Sequence, residues 1–114
     1  MPVPHDKLFE WMNIFPDENG KDETCIEFYN APVHTVGECY HDTLTQLEEV
    51  PGIEHYWYQR GYGEFYEVDD HVIVLATIYI KGQHSKEDVR KYFELEGEEL
   101  EKYVAWKKLG GSVT

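Results

Sequence analysis

The sequence predicts a single α+β domain: a mostly antiparallel sheet of about five strands with an N-terminal helix, one inserted helix and two C-terminal helices. Three observations carry this expectation. Runs of β-branched and aromatic residues punctuated by turn residues fill the middle of the chain, helical spacing marks both ends, and 114 residues fit one domain rather than two. A content of 41% hydrophobic and 15% aromatic residues is too rich in core-formers for a disordered segment, despite a net charge of -13.

Leu8, Trp11, Met12 and Phe15 fall at helical spacing after Pro4, so residues 4–15 read as a short amphipathic helix stopped by Pro16. Pro16-Asp17-Glu18-Asn19-Gly20 is a turn. Residues 24–29 and 33–41 read as two antiparallel strands around Asn30-Ala31-Pro32, with a bulge at Gly37. On that pairing Cys25 faces Gly37 and Cys39 faces Glu23, so the two cysteines are expected as free thiols set diagonally. The inserted helix is signalled by Thr43 and Gln46 as a capping pattern, by Leu44, Leu47 and Val50, and by the stop Pro51-Gly52.

A meander of three strands is expected next. Residues 53–60 and 64–68 flank Gly61-Tyr62-Gly63, and Asp69-Asp70 turns the chain into residues 71–81. Val72, Val74, Ala76, Ile78 and Ile80 make one face of that last strand apolar, and Ile73, Leu75 and Tyr79 make the other mostly so. It therefore belongs in the centre of the sheet, covered on both faces. Ser85 then caps a helix carrying Val89, Tyr92 and Phe93, Gly97 breaks it, and residues 98–109 form a last helix closed by Gly110-Gly111.

Charge is segregated along the chain. Residues 1–80 hold 16 acidic residues against Lys7, Lys21 and Arg60, while residues 81–114 hold 7 acidic and 7 basic residues. Direct binding to nucleic acid or to an anionic membrane would run against this field. No stretch approaches the roughly 18–20 apolar residues of a membrane span, and the start of the chain lacks the basic and apolar regions of a secretion signal. A cytoplasmic protein is the expectation.

Chemistry-bearing motifs are sparse. His34, Cys39, His41 and Asp42 form the densest group of ligand-type residues, but on a strand Cys39 and His41 share a face from which His34 points away unless Gly37 inserts a bulge, and no CxxC or HExxH spacing supports a metal site. The pairs His41–Asp42, His55–Glu64 and the Asp69-Asp70-His71 turn could serve acid–base chemistry only if folding brought them into a pocket. There is no nucleophile elbow, P-loop or dinucleotide fingerprint, and no cofactor or metal is expected.

Aromatic and acidic residues interleave between positions 48 and 70. By strand alternation Trp57 shares a face with Ile53 and His55, while Tyr56 and Tyr58 share the opposite face with Glu54 and Arg60. Tyrosines ringed by carboxylates suit a protein interface, where rings supply contact area and charge steers encounter. The candidate partner-binding residues are Glu48, Glu49, Glu54, Tyr56, Tyr58, Tyr62, Glu64, Tyr66, Glu67, Asp69 and Asp70. The function expected is a non-enzymatic acidic mimic of nucleic acid that inhibits a basic nucleic-acid-binding protein, such as an anti-defence protein of a phage or mobile element or a nuclease immunity protein. The alternative is a small-molecule-binding domain or small enzyme with a His/Tyr/Glu pocket between sheet and helices.

Overall fold

Strand alternation sorts the central residues onto two faces, and the computed structural model shows how each face is used. It describes residues 3–29, 31–32, 34–59, 67–68, 71–72 and 76–110, with backbone alone at 58–59, 67–68 and 71–72. Strands β1 (Met12–Pro16), β2 (Glu23–Phe28), β4 (His55–Gln59) and β7 (Ala76–Lys81) form an antiparallel sheet in the order β1-β2-β7-β4. Three short strands, β3 (Ala31–Pro32), β5 (Glu67–Val68) and β6 (His71–Val72), form a second ladder in the order β3-β6-β5. The described helices are α1 (His5–Trp11), α2 (Val36–Glu48), α3 (Lys86–Glu94) and α4 (Gly97–Lys108).

One face of the sheet holds the core. Met12, Ile26, Phe28, Ala76, Ile78 and Ile80 join Leu8 and Phe9 of α1, Cys39, Tyr40 and Leu47 of α2, Val89, Tyr92 and Phe93 of α3 and Leu100 of α4 in one hydrophobic cluster. The alternate residues Cys25, Thr77 and Tyr79 lie on the other face and take no part in that cluster. The central position of β7, between β2 and β4, agrees with the sequence, and so does its burial on both faces: Thr77 is buried and Tyr79 half-buried on the side away from the described helices, which pack on the other.

Two elements differ from expectation. Helix α1 ends at Trp11 because residues 12–16 pair with β2, Ile14 opposite Ile26 and Phe15 opposite Cys25; their alternation was masked by apolar residues that also fit a helical spacing. The segment 33–41, expected as a strand, is mostly helix: Val36, Cys39, Tyr40, Thr43 and Leu47 are buried at spacings of three and four along α2, and Gly37 sits exposed in its first turn rather than at a bulge. Cys39 therefore lies in the core and Cys25 on the opposite side of the sheet, both as free buried thiols.

The meander is rearranged as well. Val68 pairs with His71, while Asp69 and Asp70 lie outside the described residues; β4 pairs with β7, with Tyr56 opposite Tyr79, and β5 pairs in the second sheet. Residues 61–63 lie outside the described part. At the C-terminal end Ser85 forms a full capping box with Asp88, and α4 closes at Gly110, whose φ of 92° only glycine adopts easily.

Tyr40 joins the layers. In step with Ile26 opposite Ile78, Phe28 and Ala76 would continue the β2–β7 ladder. Instead the Tyr40 hydroxyl sits between them: it accepts from Phe28 N at 3.2 Å and Ala76 N at 3.3 Å and donates to the Ala76 carbonyl. All three groups are buried, so removing the hydroxyl strands main-chain donors and an acceptor away from water. Tyr40→Phe should cost about 1–3 kcal/mol in urea unfolding and speed amide exchange at Phe28 and Ala76 ahead of Ile26 and Ile78. A variant as stable as the parent would show that the hydroxyl bridges nothing of consequence.

Candidate functional site

The face of the sheet turned away from the helices is built from the odd-numbered residues of β2, and three of those six residues are Glu23, Cys25 and Glu27. All three are buried. Buried carboxylates need partners, and cross-strand register supplies them. Thr77 Oγ1 donates to Glu27 Oε1 at 2.8 Å, and the Tyr56 hydroxyl reaches both oxygens of Glu23 at 3.1 and 3.3 Å. Tyr56 in turn stacks on Tyr79, with ring centroids 4.9 Å apart and planes 15° from parallel.

Beside these residues lies an open hollow of about 670 Å³, lined by Phe15, Asp17, Glu18, Glu27, Tyr29 and Tyr79 among others. The described residues lining it include no lysine or arginine. The local field shows in the thiol at its floor. Burial first, and then the carboxylates of Asp17, Glu27, Glu23 and Glu18, push Cys25 up to about 11, which makes it a poor nucleophile at neutral pH.

The expected interface residues fall in several places. Tyr56 lies on this face at 43% exposure, opposite in sense to Trp57, as alternation predicts. Glu48 and Glu49 stand exposed at the end of α2, and Glu54 stands exposed just before β4. Tyr58 and Glu67 are placed by backbone alone, in β4 and β5. Tyr62, Glu64, Tyr66, Asp69 and Asp70 lie outside the described residues. Phe15, Tyr29 and Tyr79 were missed as site residues; the β1–β2 and β2–β7 pairings bring Phe15 and Tyr79 to Cys25, and only long-range register could have shown it.

Residues considered for metal or acid–base chemistry are dispersed. Helix α2 sends Cys39 inward and leaves His41 exposed, so the shared strand face expected for them does not exist. Asp42 accepts from Val3 N at 2.8 Å and so ties the N-terminal segment to α2. Among the described residues no three His, Cys, Asp or Glu side chains converge on a metal position.

A second concavity, of about 320 Å³, lies where the α2–β4 turn and the β7–α3 turn meet Tyr92 and the end of α4. His84 on its wall is locked by two bonds of 2.8 Å, from Nε2 to the Lys81 carbonyl and from Nδ1 to the Tyr92 hydroxyl. The carbonyl can only accept, so Nε2 carries the proton and Tyr92 donates to Nδ1. The network continues behind the wall. Asp88 accepts from Tyr103 at 2.6 Å and pairs with Lys107 Nζ at 2.7 Å; burial opposes its charge, but these partners and the Ser85 N–H hold its carboxyl below the ordinary range.

The chain matches no protein-family model, no curated protein and no solved structure.

Burial of His84, despite its bond to the Lys81 carbonyl, pulls its pKa below 6.5. The unfolded chain then takes up this proton before the folded one, so His84 stabilises fully above pH ~6.5, and the stability is lost as pH falls toward the folded value. Urea unfolding between pH ~7 and ~5 should show that decline. His84→Gln should flatten it, and ¹⁵N shifts should report the Nε2–H tautomer at pH 7; an imidazolium signal there would contradict the network.

Proposed function

We propose that this chain is a non-enzymatic binding protein that inhibits a basic nucleic-acid-binding protein, a nuclease for example, by occupying its DNA or RNA site. The observation that supports the proposal is the hollow on the face turned away from the described helices, where Asp17 and Glu18 stand beside Phe15 and Tyr29. An arginine that normally grips a phosphate finds there both a carboxylate to pair with and a ring face to lie on. Exposed acids around the hollow and along the chain, Asp22, Glu48, Glu49 and Glu54 among them, extend the field over which such a partner is steered.

Inhibition would be stoichiometric and competitive. Each exposed pair contributes only ~0.2–1 kcal/mol, so affinity comes from several carboxylates acting together with desolvated rings. The reading is of the anti-defence or immunity-protein kind. It concerns charge placement and contact area, and it needs no reaction at the surface.

The test begins with capture of partners from the native host lysate at low and high salt. The captured protein is then purified and loaded with labelled duplex. The wild-type chain should displace the duplex one for one. Reversing Asp17, Glu18 and Asp22 to lysine should slow association and weaken binding by about tenfold or more, whereas reversing Glu96, Glu98 and Glu101 in the charge-neutral C-terminal part should change little. A partner that keeps its nucleic acid under saturating chain, or equal effects from the two sets, would refute the proposal.

A further inference from the structure

We infer that the concavity between the α2–β4 turn, the β7–α3 turn and α4 is a binding site for a small carboxylate with an apolar tail. This site is separate from the acidic sheet face, and the inference stands whether or not that face binds a partner.

Charge placement is the first ground. Of the chain's ten basic residues, three, Lys81, Lys107 and Lys108, line this one concavity of about 320 Å³. Glu54 is the single carboxylate among its described lining residues, and it is exposed. In a chain of net charge -13, that is a local reversal of sign.

The second ground is what those amines do. Lys107 is committed, half-hidden against Asp88 at 2.7 Å. Lys81 and Lys108 are exposed and, among the described residues, take part in no ion pair. Lys108 is nonetheless placed: its Nζ lies so close over the α2–β4 turn that a Cβ at Gly52 would come within 2.7 Å of it. Gly52, with φ of +71°, both makes the turn and leaves room for the ammonium.

The walls choose the ligand class. Val50, Ile53 and Val104 give an apolar surface, and the Tyr92 ring is held by its bond to His84. Two ammonium groups act as point charges without the fork of donors that a guanidinium offers, and the described lining contains no arginine. Two point charges above an apolar wall suit a single carboxylate on a hydrocarbon tail, and a volume of this size takes about ten non-hydrogen atoms.

Octanoate is the probe. Titrated into the isotope-labelled chain, it should bind with a Kd of about 1 mM or below and shift the amides of Gly52, Ile53, Gly82 and Val104. Octanol, which keeps the tail and lacks the charge, should bind at least ~10-fold more weakly, and inorganic phosphate should bind no better than octanol. The double variant K81Q/K108Q should lose at least ~10-fold in octanoate affinity. Both lysines are exposed, so its amide spectrum should otherwise match the parent; the octanol comparison on the unaltered protein tests the charge requirement even if it does not. Equal binding of octanol and octanoate, tighter binding of phosphate, shifts confined to other regions, or an unaffected double variant would each overturn the assignment.

Discussion

The Tyr40 hydroxyl sets the geometry on which the remaining features depend. It occupies the place of a main-chain bond between Phe28 and Ala76, and so pins α2 to the sheet at the point where β2 and β7 stop pairing. Past it the same two lengths of chain pair again, but one residue out of step: Ala31 would face Ile73 in the original register and instead faces Val72. A one-residue slip exchanges the faces of a strand, and the second ladder stands as a separate sheet at this offset register. The T-shaped contact of Tyr40 with Phe28, at 5.0 Å, fills the space beside the hydroxyl with apolar contact.

From that junction follows the one-sided layering. With α2 held on the Phe28 side, the described helices bury against the even-numbered residues of β2 and β7, and the odd-numbered residues keep a face of their own. A carboxylate there must find a local donor to be tolerated, and Thr77 and Tyr56 are the donors for Glu27 and Glu23. Hydrogen bonding of this kind fixes the acids and the rings together, so the face presents ordered charge beside ordered aromatic surface. A scattering of mobile surface carboxylates would give solubility and little more.

Much of the fold was legible in local signals. Ser85 and Asp88 spell a capping box, and Gly97 and Gly110 bound α4; each is decided by residues within a few positions of one another. The errors came where two periods fit one stretch. Residues 12–15 carry apolar side chains compatible with a helix, and only pairing with residues 25–28 selects the strand. Residues 33–41 hold β-branched and aromatic residues that suit a strand, and only the continuation of the 36, 39, 40, 43, 47 spacing into the recognised helix selects otherwise. Strand pairing outweighs local propensity in the first case, and burial of one helix face does so in the second.

The candidate sites divide along the same line. That Tyr56 and Trp57 face opposite ways follows from alternation alone, but that Tyr56 meets Glu23 and Tyr79 follows from the order β2-β7-β4, which no local pattern contains. The lysine-lined concavity was more deeply hidden. Lys107 and Lys108 near the end of a helix are what dipole complementarity would place on any stable α4, and nothing in their neighbourhood distinguishes a stabilising cation from a recruited one. What distinguishes them is distance in sequence. Gly52 arrives from the α2–β4 turn and Lys81 from the end of β7, and it is their convergence with Lys108, 27 positions beyond Lys81 in the chain, that turns an ordinary helix terminus into a bounded positive site. The two surfaces meet along β7, where Tyr79 lines the acidic hollow and Lys81, two residues on at the end of the strand, lines the basic concavity.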